Sequence, residues 1–168
     1  MLNSYDVLSI KSSKHFESRG SIYTIYNKEK ISIPFVQDKI SKSFQGVIRG
    51  FHGDNKTWKL ITCLYDKVKL VTYSVDSSKK NVYILDGDAN YSESILVPPR
   101  FLNAHQCLSG HCIFHYKWSE YYTSPDDQWS VYFDDSEIFP EWDDTFCPII
   151  SNRDANAQSL QELRNNVL

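Results

Sequence analysis

Three stretches of this 168-residue chain carry side chains able to move a proton or hold developing charge. The first is Gly46–Leu60, GVIRGFHGDNKTWKL. Its imidazole, His52, closes an apolar run and is followed by a Gly-Asp-Asn turn, which places the ring at the end of a strand and the mouth of a sheet or barrel. Along an extended strand alternate residues share a face, so Ile48, Gly50 and His52 point one way and Val47, Arg49 and Phe51 the other. Lys59 opens the next run and returns to the same end. Singly, these are a surface histidine and a solvated lysine. Together, RGFH, a short loop and WKL form a far less common pattern.

The second stretch is Leu96–Tyr122, LVPPRFLNAHQCLSGHCIFHYKWSEYY. His111 and His115 stand four apart, a spacing that suits zinc only on a helix. The alternation Cys112, Phe114, Tyr116, Trp118 instead describes a strand, with His111, Ile113, His115 and Lys117 on its other face. Tyr116 then lies on the inward, aromatic face. A phenol titrates near 10, so it holds its proton at neutral pH and can deliver it to an enolate; the plainer reading is a core tyrosine with a satisfied hydroxyl. The third stretch is Cys147–Asp154, CPIISNRD. Asp154 suits two roles equally, a partner that fixes the tautomer of a catalytic imidazole or a helix N-cap.

The elements that must position these groups read as strands. Between Ser21 and about Phe133 short β-branched and aromatic runs recur: Ser21–Tyr26, Gly46–His52, Trp58–Tyr65, Lys67–Val75, Val82–Leu85, Glu93–Val97, Cys112–Tyr121 and Trp129–Phe133. Gly53-Asp54-Asn55, Asp86-Gly87-Asp88, Pro98-Pro99 and Pro125-Asp126-Asp127 break them. Many short, closely spaced strands with no intervening helices predict an all-β sandwich or barrel in one domain, residues 1–168. Asp154–Leu168 reads as a C-terminal helix with Leu160, Leu163, Val167 and Leu168 toward one side, packed on the barrel or on a partner subunit.

Composition narrows the function. A net charge of −3 leaves no electrostatic footprint for nucleic acid or an anionic membrane. An anionic substrate would need a few local Arg and Lys side chains. No apolar run is long enough to span a bilayer, and Asp6 with several lysines interrupts any signal-peptide pattern, so a cytoplasmic location is expected. Cys63, Cys107, Cys112 and Cys147 show no CxxC pairing and read as reduced small hydrophobes.

Phe16–Gly20 (FESRG), Phe35–Ser43 (FVQDKISKS), Gly46–His52 (GVIRGFH), Trp58–Leu60, Val97–Phe101 (VPPRF), Tyr116–Tyr122 (YKWSEYY) and Ser151–Asp154 (SNRD) run colinearly through nearly the whole chain. Taken together they resemble the dTDP-4-dehydrorhamnose 3,5-epimerase family. The resemblance implies a cupin jelly-roll barrel, a homodimer exchanging N-terminal strands, and epimerisation of a nucleotide-linked 4-keto sugar through an enolate, without a cofactor or metal. Metal-binding cupins usually present an HxH pair, which this chain lacks. In residue terms it implies His52 as base, Asp154 as its orienting partner, Lys59 at the enolate oxygen and Tyr116 as proton donor on the opposite face. Arg19, Gln37 and Arg49 match positions that hold the diphosphate or sugar. Tyr122 matches a second tyrosine near the substrate, and Asn103 joins the substrate-binding set.

Several residues depart from the thymidine-type pattern. The compact HGDNKTWK and Asn103-Ala104-His105 look more like GDP-linked 4-keto-heptose epimerases of surface-polysaccharide pathways, a resemblance that puts a GDP-linked heptose ahead of a dTDP-linked hexose as the expected substrate. Lys39 stands where Asn is common, and Arg100 and Asp66 replace usual glycines. A 3,4-ketoisomerase and a non-catalytic sugar-nucleotide-binding cupin are the competing readings.

Overall fold

The computed structural model describes residues 6–168. In chain order the strands are β1 (Leu8–Ser13), β2 (His15–Glu17), β3 (Gly20–Ile22), β4 (Gln37–Phe44), β5 (Ile48–Gly53), β6 (Lys59–Tyr65), β7 (Lys67–Ser74), β8 (Lys80–Asp86), β9 (Tyr91–Val97), β10 (Phe101–Cys107), β11 (His111–Trp118) and β12 (Trp129–Ser130). Two short helices follow, α1 (Asn152–Ala155) and α2 (Leu160–Val167). One antiparallel sheet has the order β1-β9-β6-β11-β4 and the other β12-β5-β10-β7-β8, while β2 and β3 pair as a separate hairpin. The two sheets face each other as a jelly-roll barrel.

Three apolar layers hold the sheets. Between them Ile61, Cys63, Val68, Leu70, Leu85, Ile95, Phe101, Cys112 and Phe114 form the central core, fed by alternate residues of both sheets. On the outer face of the second sheet, Val71, Tyr73, Leu102 and Ala104 meet Leu160 and Leu163 of α2. On the outer face of the first, Leu60 and Leu96 are covered by Ile31, Phe35 and Tyr26. β10 is therefore buried at every position, and so its sequence shows no period-2 pattern.

The alternation expected for residues 46–52 fails at one place. β10 pairs with β5 so that His105 faces Arg49 and Asn103 faces His52. One residue, Ala104, separates the pair on β10, whereas two, Gly50 and Phe51, separate it on β5. That bulge turns Arg49 and His52 onto the same inner face and sends Phe51 into the outer layer beneath α2. Gly50 carries it with φ +117°, and a Cβ there would lie 2.6 Å from the Asn103 carbonyl oxygen and 2.7 Å from Ala104 Cα.

Other expectations are corrected. Residues 23–26 leave the strand begun at Gly20, and β1, β2, β4 and β10 were not among the predicted runs. The C-terminal helix is two pieces capped by Ser151 and Ser159, so Asp154 is an interior residue of α1 and not its N-cap. Leu168 is exposed. Cys63, Cys107 and Cys112 are buried but Cys147 is exposed; all four are free. Arg100 and Asp66 sit at φ +66° and +58°, the left-handed region where glycine is usual. The Arg100 guanidinium turns away from the barrel interior to a two-point contact with Asp76 (2.6 and 2.7 Å).

Gly50→Ala has no room for its methyl group against backbone atoms. It should lower the unfolding free energy by on the order of 2 kcal/mol or more, read as a reduced denaturant midpoint. An unchanged midpoint would mean the bulge does not depend on glycine.

Candidate active site

A cavity of about 520 Å³ opens at one end of the barrel, between the two sheets. The second sheet contributes His52 and Arg49 from β5 and Asn103 from β10. The first contributes Lys59 from β6, Tyr116 and Trp118 from β11, and Lys39 and Ser41 from β4. Arg153 and Asp154 close the floor from α1, and Tyr122 and Gln128 stand on the segment after β11.

His52 Nε2 lies 2.6 Å from Asp154 Oδ1. Burial alone would raise the Asp154 carboxyl, but hydrogen bonds from His52, from the Gly50 N–H to Oδ2 (3.4 Å) and from the Ser151 hydroxyl hold it below the usual carboxylate range. An ionised Asp154 only accepts, so Nε2 carries the imidazole proton and Nδ1 holds the free lone pair. Nδ1 has no hydrogen-bond partner among the described residues. Burial, helped by the nearby Arg153 and Lys59 charges, lowers the pKa of His52 against the raising effect of Asp154, so the ring is neutral at neutral pH and able to accept a proton. The side chain of Asp154 is 4% exposed against 23% for His52. The buried member is the one that never needs to reach a ligand.

Lys59 is buried, its Nζ donating to Asn103 Oδ1 (2.9 Å) and to the His52 carbonyl (3.3 Å) and lying 5.2 Å from the centre of the Trp118 ring. Asn103 thus touches the cation directly, which is how it enters the site. Across the cavity the Tyr116 hydroxyl lies 3.5 Å from His105 Nδ1. Burial pushes the Tyr116 pKa well above its ordinary value, so it keeps its proton. His105 stacks on Phe114 at 3.9 Å, and burial drives it down to about 3, leaving the imidazole beside the phenol neutral.

Gln37 and Arg19 stand apart from these groups. Gln37 does not line the cavity; its Oε1 accepts the Tyr122 N–H (2.9 Å) and so fixes the aromatic wall. Arg19 is almost fully exposed at the tip of the β2–β3 hairpin and paired with Glu17, away from its own chain's cavity. The three histidines between residues 96 and 122, two of them weighed above as zinc ligands, also stand apart in role. His115 bonds Asp38 on the outer face (2.7 Å), His111 stacks on Tyr65, and His105 packs in the core. No group of three His, Cys, Asp or Glu with metal-holding geometry occurs among the described residues.

Arg153 was missed by sequence reasoning, although it directly precedes Asp154. Its Nη2 bonds the carbonyls of Pro125 (2.8 Å) and Gln128 (3.4 Å), leaving the guanidinium on the cavity wall. Lys39 was noted only as a departure. It falls on the inward face of β4, in alternation with Ser41 and Ser43.

Burial drives Lys59 down to about 8. The folded protein then holds this proton less tightly than the unfolded chain, whose lysines titrate near about 10.4. Stability should therefore rise with pH between those values, and the charged lysine costs on the order of 3 kcal/mol below pH 8. Lys59→Met should flatten this slope, as measured by denaturant unfolding from pH 8 to 10. Equal slopes in the two proteins would place the titration elsewhere.

Residues 2–162 match the family model described as dTDP-4-dehydrorhamnose 3,5-epimerase. The chain is 30% identical over 171 residues to the dTDP-4-dehydrorhamnose 3,5-epimerase of Salmonella typhimurium, covering 94% of this chain and 92% of that one. Its structure is similar, with a TM-score of 0.87 and 25% identity, to a dTDP-6-deoxy-D-glucose-3,5-epimerase from Legionella pneumophila in complex with dTDP-4-keto-L-rhamnose, covering 96% and 92% of the two chains. A dTDP-4-dehydrorhamnose 3,5-epimerase from Bacillus anthracis with TDP and PPi bound is similar at a TM-score of 0.83 and 28% identity, covering 92% and 94%. No helix among the described residues is long and apolar enough to cross a membrane. The fold, the colinear motifs and these matches agree: the chain belongs to the dTDP-4-dehydrorhamnose 3,5-epimerase family.

Proposed function

We propose that the chain is an isomerase that epimerises a nucleotide-linked 4-keto-6-deoxy sugar at C3, C5 or both, in the cytoplasm, for the synthesis of surface-polysaccharide sugars. The observation that carries this reading is the placement of His52 and Tyr116. They project from opposite sheets into one cavity, a base with a free Nδ1 facing a phenol that keeps its proton.

The chemistry follows from these groups. A C4 carbonyl acidifies the adjacent C–H bonds, because the electron pair left behind delocalises onto O4. His52 Nδ1 removes the proton, becoming an imidazolium stabilised by Asp154. The Lys59 ammonium, already fixed by Asn103, holds the enolate oxygen as charge develops there. Tyr116 then returns a proton to the same carbon from the opposite face. Solvent takes the proton from His52 and restores the one on Tyr116. No redox partner enters.

The curated relatives above are named for dTDP substrates, which makes a dTDP-linked 4-keto-6-deoxy hexose the first substrate to try. A GDP-linked heptose is the second reading. It rests on the compact turn between His52 and Lys59, where Asp54 Oδ1 accepts the Lys56 and Thr57 N–H groups (2.9 and 2.7 Å).

We also place the chain in a homodimer. The β2–β3 hairpin is exposed throughout, with Phe16 and Ile22 uncovered, and Arg19 at its tip does not meet its own cavity. A guanidinium suited to a diphosphate would then serve the partner's site.

Incubation with 4-keto sugars in D2O separates the steps. His52→Asn should lose both solvent exchange and inversion by roughly 10²–10⁴-fold. Tyr116→Phe should still wash deuterium into the substrate, because His52 can remove and return a proton on its own face, while yielding little inverted product. Asp154→Asn should behave as a weakened base variant. Wild-type inversion by Tyr116→Phe would remove Tyr116 from the donor role. For the dimer, Arg19→Ala and His52→Asn chains refolded together should regain activity that neither has alone, since one cavity in the mixed dimer is then complete. No recovery would return Arg19 to its own chain.

A further inference from the structure

Four cationic side chains, Lys39, Arg49, Lys59 and Arg153, line the cavity beside one carboxylate, Asp154, which is committed to His52. Three of the four have oxygen partners within the protein. Arg49 Nε bonds Ser43 Oγ (2.9 Å), Lys59 bonds Asn103 and the His52 carbonyl, and Arg153 bonds two backbone carbonyls. Lys39 differs. Among the described residues its Nζ has neither a hydrogen-bond acceptor nor an ion-pair partner. It rests 3.6 Å from the centre of the Tyr122 ring and 4.9 Å from that of Trp118.

Two aromatic faces hold an ammonium by its charge while leaving its N–H bonds free to donate. Burial, and then the nearby Arg153 charge, lower the Lys39 pKa, both marks of a cation whose counter-charge is missing. Two more donors on cavity-lining residues, Trp118 Nε1 and Gln128 Nε2, are buried without an acceptor. This wall therefore carries more unpaired donors than acceptors, the Ser41 hydroxyl being its one buried unpartnered oxygen among the described residues. What it lacks is an anionic oxygen.

We infer that Lys39 is a substrate-binding residue of this chain, held by Tyr122 and Trp118 so that its ammonium takes a phosphoryl oxygen of the substrate's diphosphate. The inference rests on reading the cavity as a sugar-nucleotide site, and the formal charges of such a substrate reside on its diphosphate. An enolate arises during the reaction but is served by Lys59, so the cation left over in the resting site is matched to the permanent charge. Gln37 contributes indirectly: its bond to the Tyr122 N–H fixes the ring beneath the ammonium.

The test is calorimetric titration of dTDP, GDP and the corresponding free nucleosides into the wild-type protein, Lys39→Gln and Lys39→Arg. Lys39→Gln should weaken binding of the preferred nucleoside diphosphate on the order of tenfold or more, with less dependence on salt, and should leave nucleoside binding unchanged. Lys39→Arg should retain most of the diphosphate affinity. Equal diphosphate affinity in wild type and Lys39→Gln would overturn the inference, as would an equal loss for nucleoside and diphosphate. Failure of the wild-type protein to bind either diphosphate would overturn it too. Deuterium exchange into 4-keto sugars by the wild-type protein is scored separately. Exchange without a Lys39 effect sinks the inference alone, and a Lys39 effect on diphosphate affinity without exchange sinks the epimerase reading alone.

Discussion

One extra residue in β5 decides what the barrel can do. Without the Gly50–Phe51 bulge, Arg49 and His52 would project to opposite faces, and one would be lost to the layer under α2. With it, both enter the cavity and Phe51 takes the outward place, packing with Leu102, Ala104, Leu160 and Leu163. The Gly50 N–H also reaches Asp154, the carboxylate that orients His52. The placement of His52, of Arg49 and of the outer packing thus depends on one local irregularity, and only glycine fits it, since a Cβ would enter the β10 backbone.

The titratable groups of the cavity differ in protonation state. Asp154 is held ionised and buried; His52 beside it is kept neutral, with its lone pair outward. Tyr116 is kept protonated by the same exclusion of water, and the buried His105 next to it is neutral. Lys59 carries the cost of burial for the sake of its position. Such shifts within one cavity are what the proposed acid–base chemistry calls for. The outer-face cluster of Asp38, His115 and Lys117 makes the contrast: there a carboxylate is simply shared by two basic side chains near solvent.

The sequence made legible those parts whose local pattern matches their place in the fold. The aromatic alternation of β11 put Tyr116 and Trp118 inward, and β6 to β9 were recognisable as β-branched runs between turn residues. β10 was not, because FLNAHQC is buried on both faces and its inward polar residues serve Lys59 and Tyr116 instead of showing an apolar stripe. β4 was hidden for a related reason: its inward positions hold Gln37, Lys39, Ser41 and Ser43, and its exposed ones hold Ile40 and Phe44, inverting the usual sign of the alternation. The bulge left no periodic trace, although the glycine before Phe51 was its one visible sign. Asp154 had two readings by spacing alone; Ser151 takes the N-cap place, and the long-range contact with His52 supplies the other reading.

The burial of β10 has a further consequence, one for motion. A strand central in its sheet and covered on both faces exchanges its amide hydrogens only when the whole domain opens. Asn103 belongs to that strand, so the wall of the cavity that it forms is built on a strand covered on both faces. The opposite wall is built differently. β4 is an edge strand, and Tyr122 lies on an irregular segment tied to it through Gln37. The cavity thus joins a wall anchored in the centre of one sheet to a wall carried on the edge of the other.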